Sequence, residues 1–129
     1  MKRVIQHMPI LEYLRSLTSK EQKNLILNAP KQLLLTLSEI ALNLIGKNIV
    51  LTKPQISKLQ KHEKQILELS ERKHSLSRRK QILRGGSFLK NLLDTTIPQL
   101  MLAIVRNKSN GVRHRAKKVG KKVVPSDGK

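Results

Sequence analysis

The chain has no cysteine and no tryptophan, and its only aromatic residues are Tyr13 and Phe88. Without cysteine there is no disulfide framework, no thiolate zinc site and no thiol nucleophile. The absence also suits a reducing, intracellular compartment. Two aromatics cannot furnish the stacking platform of an RNA-recognition sheet or an oligonucleotide-binding barrel. No window of about 18 uncharged apolar residues is present, so no transmembrane helix is expected. The opening "MKRVIQHMPILEYLRSL" lacks the apolar core and small-residue cleavage site of a signal peptide. Acid is scarce as well: 8 Asp and Glu stand against 27 Lys and Arg, a net of +19 in 129 residues.

That imbalance is the strongest signal of function. So basic a chain repels itself and needs a polyanion to sit against. Nucleic acid is the usual one, because phosphates accept Lys and Arg and release counterions. An anionic membrane surface is the second candidate. Catalysis has little support. The acids are scattered, and Glu63, Glu68 and Arg72 fall at spacings of surface charge pairing. His7, His62, His74 and His114 show no metal-ligand spacing, and no phosphate loop, nucleophile elbow or triad signature appears. No catalytic residue, metal or cofactor is therefore assigned.

Leu, Ile and Lys are abundant, and their periodicity is helical. "MPILEYLRSL" reads as a short helix with Pro9 in its first turn. Thr18 and Glu21 have capping-box spacing. Asn28 can cap the next helix, with Pro30 in its first turn and Gly46 as its left-handed stop. Along it Leu33, Leu34, Leu37, Ile40, Ala41, Leu44 and Ile45 recur on one side, and Leu35 and Leu42 widen the apolar surface. A helix apolar over so much of its girth is buried. Thr52, Pro54 and Gln55 open a further helix, 53–70, whose stripe is Ile56, Leu59, Ile66 and Leu69, with His62 inside it as a satisfied or edge residue. A basic helix 72–84 follows and stops at Gly85 and Gly86. Leu89, Leu92, Leu93, Ile97, Leu100, Met101 and Ile104 then mark an amphipathic helix over 87–105, in which Pro98 is expected to kink or split the rod. Residues 106–129 have no periodicity and carry nine Lys or Arg against one Asp, as a disordered basic arm would.

The expected architecture is thus all-α: a small helical bundle over 1–84, a Gly-Gly joint at 85–86, an apolar helix over 87–105 and the basic arm. The phosphate-neutralising residues expected are Arg72, Lys73, Arg78, Arg79, Lys80 and Arg84 in the basic helix. In the arm they are Arg113, Arg115, Lys117, Lys118, Lys121 and Lys122. The arm could equally serve as a nuclear-import signal. A rod of this kind neutralises phosphates without reading bases. A helix-turn-helix regulator is a rival reading, with Gln55, Lys58, Gln60 and Lys61 facing a groove. Its joint from Gly46 to Thr52 is longer than that motif's turn of about three or four residues.

Gly-Gly can be a plain helix stop, or a side-chain-free segment that a protease groove can grip. Leu83-Arg84-Gly85-Gly86, followed by Ser87, resembles the cleavage pattern of the adenovirus maturation protease, which cuts after the second glycine. The basic segment, the Arg-Gly-Gly and the apolar run "SFLKNLLDTTIPQLMLAIV" together resemble the adenovirus precursor of core peptide mu, called pX. Small basic proteins of Polintons and adintoviruses are similar. The resemblance spans roughly 78–105 and implies a virion core protein bound to packaged double-stranded DNA. It implies a protease substrate rather than an enzyme, located in the virion and the host nucleus, with capsid proteins and the maturation protease as partners. Membrane action through 87–105 is a rival reading, which the resemblance partly supports, because an adenovirus minor capsid protein has a membrane-active helix that follows a Gly-Gly cut. The leucine-rich surfaces also lead us to expect self-association.

Overall fold

The computed structural model describes residues 1–120, with side chains to Arg106. It is all-helical among those residues, as the periodicity predicts. The order is α1 (Lys2–Gln6), α2 (Met8–Ser16), α3 (Ser19–Leu27), α4 (Lys31–Ile45), α5 (Lys53–Gln60), α6 (Glu63–Ser70), α7 (Leu76–Leu83) and α8 (Phe88–Gly120). The chain divides into two units, Met1–Gln99 and Leu100–Lys129.

The core helix of the first unit is α4, as its wide apolar surface requires. Leu34, Leu37, Ile40 and Ala41 are fully buried, each Leu or Ile stabilising by roughly 1.5–3 kcal/mol. Helices α1, α6 and α7 pack against it. The fully buried set also includes Val4 of α1, Leu11 and Leu14 of α2, Ile26 of α3, Leu69 of α6 and Leu83 of α7. The first turns of α8 belong to this core too: Phe88, Leu92 and Leu93 have no exposed surface, and Leu89 and Ile97 almost none. The apolar helix after the glycines is therefore a wall of the bundle up to Gln99, and the division of the chain falls inside α8 instead of at Gly85–Gly86.

Local signals account for most element starts. Thr18 and Thr52 each close a complete capping box, with Glu21 and Gln55. Ser75 caps α7 by accepting from the Arg78 amide. Five expectations are corrected. Asn28 ends α3 and does not cap α4, whose N-cap is Pro30 with no side-chain bond. Gly46 is right-handed, and the left-handed residue is Lys47 at φ 60°. The helix expected over 53–70 is two helices, broken at Lys61 and His62. The basic helix begins at Leu76, not 72, so Arg72 and Lys73 lie in a loop. Pro98 does not split α8, which runs through it.

His62 explains the break. Its backbone sits at φ −110°, ψ 16°, in the sparsely populated bridge region. Its ring is buried against Phe88 at a centroid distance of 5.5 Å. The Asn91 amide donates to Nε2 at 2.9 Å, so Nδ1 carries the proton and donates to Gln65 Oε1 at 2.8 Å. The histidine read as a satisfied residue from sequence is a joint between α5, α6 and α8.

Candidate nucleic-acid interface and the Gly-Gly turn

Exposed cations cover the first unit. Lys20 and Lys31 lie near α3 and α4; Lys53, Lys58, Lys61 and Lys64 follow along α5 and α6. Arg72, Lys73, Arg78 and Arg84 continue the series around α7. Three of the acids are engaged elsewhere, and two more neutralise only Lys73 and Arg78 of this series. Glu39 holds the N-terminal ammonium at 3.3 Å, and Glu71 faces Lys73 and His74. Asp94 sits between Arg15 and Lys90, and Glu21 serves its capping box. Glu68 accepts from Arg78 Nη2 at 2.8 Å, a bond that holds its carboxyl below the usual carboxylate range. The surface is thus electropositive by default.

Not every basic residue is free for that role. Three of them close the carbonyl ends of helices, where the last turn lacks intrahelical donors. Lys90 Nζ donates to Arg15 O at 3.1 Å and Leu17 O at 3.4 Å, at the end of α2. Lys80 Nζ donates to Leu27 O at 2.9 Å, the last residue of α3. Arg79 does the most. It is buried, and Nη1 donates to Ser38 Oγ and to Leu69 O, in α6. Its Nη2 donates to Glu71 O and Arg72 O, and Nε to His74 O. The α6–α7 loop is folded around this guanidinium.

The expected phosphate contacts therefore divide. Arg72, Lys73, Arg78 and Arg84 are exposed. Arg79 is corrected to a structural pin, because all five of its N–H groups are used inside the protein, and Lys80 is half-buried on α3. Arg113, Arg115, Lys117 and Lys118 have side chains outside the described residues, and Lys121 and Lys122 lie outside them altogether. Lys53 and Lys64 were not legible as surface cations, because the stripe of 53–70 gives no rank among its polar positions.

The Gly-Gly pair forms the turn that aims α8 back at the bundle. Gly85 N donates to Ile82 O and Phe88 N to Gly85 O, both at 3.2 Å, while Gly86 takes φ +56°. Only glycine adopts that angle without strain. Gln65 Nε2 also reaches Gly85 O at 3.4 Å. Leu83 and Phe88, on either side, are fully buried. The exposed part of the expected cleavage segment is Arg84, Gly86 and Ser87, with Gly85 half-buried; its Leu83 anchor is in the core. An extended pose in a protease groove requires this turn to open first.

The membrane reading of 87–105 meets the same packing. The apolar side of 88–99 is occupied by the core, and the large apolar side chains exposed beyond it among the described residues are Met101, Leu102 and Val105. No described helix is long and apolar enough to cross a membrane. Exposed apolar side chains gather instead around an open groove of about 780 Å³, lined by Ile45, Val50, Ile56 and Leu67 among others. No group of His, Asp and Glu able to hold a metal ion occurs among the described residues. Comparison with protein families, with curated proteins and with solved structures gave no match.

Proposed function

We propose that this chain is a non-enzymatic, sequence-independent DNA-binding protein that neutralises and condenses the packaged DNA of a virus or mobile element. The observation that carries the reading is the charge ledger of the first unit. Its carboxylates are largely engaged in internal pairs and caps, so the exposed Lys and Arg other than Lys73 and Arg78 have no internal counter-charge among the described residues. Duplex phosphates supply that counter-charge and release their condensed cations. The exposed cations lie on several helices and a loop, which suits backbone contact more than a single reading helix. The basic C-terminal sequence adds a further nine Lys or Arg to the same task. Under this reading the protein acts in the virion and the nucleus, alongside capsid proteins. Cleavage after Gly86 by a maturation protease is a later event that the buried Leu83 and Phe88 hold back.

The test is fluorescence anisotropy of the full chain on random-sequence duplexes across a salt series. With about six to ten phosphates contacted, affinity falls by about 10³–10⁵ between roughly 50 and 200 mM salt. A flat salt response refutes the mechanism. A preference of about 10³ or more for one sequence refutes the sequence-independent reading in favour of a regulator.

A further inference from the structure

Arg79 poses an electrostatic problem that its hydrogen bonds leave unsolved. The residue is 5% exposed, and no carboxylate lies within ion-pair distance of its guanidinium among the described residues. Carbonyl oxygens satisfy its N–H groups but carry only partial charge. A buried cation without a full counter-charge is costly.

Arg79 lines a surface notch of about 390 Å³, bounded by α1, α4, the end of α6 and the α6–α7 loop. Arg3 and Arg72 line the same notch, with Ser38 and Ser70. Neither Arg3 nor Arg72 has a side-chain partner among the described residues. Ser38 Oγ accepts from Arg79, and its own proton has no acceptor there. Glu39 is the one carboxylate lining the notch, and the Met1 ammonium already holds it at 3.3 Å. Three arginines and Ser38 thus line one space with room for a tetrahedral anion.

We propose that this notch seats one phosphate group, clamped by Arg3 and Arg72 and accepting from Ser38, with Arg79 as the buried charge behind it. Guanidinium forks suit phosphate oxygens because two parallel N–H groups meet two oxygens. The phosphate comes either from a nucleic-acid backbone or from free phosphate in solution. Its assignment to DNA rests on the function proposed above; the seat itself does not. Within that reading the notch gives the bundle one fixed register point on the backbone, while the exposed lysines make diffuse contacts.

The experiment is an amide-resolved NMR titration of the full chain with inorganic phosphate, against chloride at matched ionic strength. Three proteins are compared: wild type, the double variant Arg3→Gln/Arg72→Gln, and the charge-matched control Lys23→Gln/Lys47→Gln, neither of which lines the notch. Saturable shifts centred on Arg3, Ser38 and Arg72 are expected in wild type and control. The notch variant should lose affinity by about tenfold or more, since it removes two charge-assisted contacts and one alone is worth about that much. Both altered arginines lie at the surface or half-buried, so the fold is not at stake. Addition of a short duplex then separates the sources. Displacement of phosphate by the duplex assigns the seat to DNA. Saturable phosphate binding in a chain that ignores the duplex leaves a free-phosphate seat and overturns the DNA reading alone. Shifts that do not saturate, or that fall equally in both double variants, overturn the seat.

Discussion

Removing Arg79 should unfold this protein more readily than any change to its exposed cations. In Arg79→Ala the Ser38 hydroxyl and the Leu69 carbonyl lose a buried donor, and three loop carbonyls lose partly buried ones. A buried acceptor left unmet costs about 1–3 kcal/mol. Water can reach the part-buried carbonyls of Glu71, Arg72 and His74, so their share is smaller. The sum is roughly 3–5 kcal/mol, a large part of the about 5–15 kcal/mol that holds a domain of this kind together. Urea unfolding followed by far-UV circular dichroism reads it directly. With a slope of about 1–3 kcal/mol per molar urea, the midpoint should fall by at least about 1 M. Arg79→Lys should lie between, since an ammonium offers three N–H groups where the guanidinium offers five. Arg78→Ala, one residue away, should shift the midpoint little, because its exposed pair with Glu68 is worth about 1 kcal/mol or less. Equal, small shifts in Arg78→Ala and Arg79→Ala would refute the pin.

Gly86→Ala should destabilise by about 1–2 kcal/mol through its left-handed backbone, and Gly86→Asn by less; thermal melts of both variants check the order. Cleavage between Gly86 and Ser87 by a Gly-Gly-specific maturation protease should be slow in the native chain and should accelerate in mild urea, because Leu83 and Phe88 must leave the core. Equal rates with and without urea contradict that gating. Glu68 contributes stability that is present above the ordinary carboxylate range and is lost as pH falls through its depressed folded value. Stability should therefore decline below about pH 5, and Glu68→Gln should make that decline shallower. Identical pH profiles for the two proteins would show that the Arg78 bond does not matter.

Much of the bundle was legible because its signals are local. The capping boxes at Thr18 and Thr52 and the girth of α4 depend on spacing alone, and each appears where spacing puts it. The break at His62 was not legible. A continuous stripe of Ile56, Leu59, Ile66 and Leu69 fits one helix, and only the Asn91 and Phe88 contacts from α8 favour the bend. The candidate interface divides in the same way. Arg78 and Arg79 are neighbours in one basic run, and their chemistry is alike on paper. The turn of α7 sends one to solvent and the other beneath α4, a difference of direction that composition does not encode.

The sequence by itself determined that this protein is helical, strongly cationic and short of acid, because period and charge are properties of the chain before it folds. Only the tertiary structure decided which cations face solvent and which are consumed inside. It also decided that the helix after Gly86 is a wall of the core. Both depend on contacts between residues far apart in the chain, such as Arg79 with Ser38 and Lys90 with Leu17, which form only when the bundle closes.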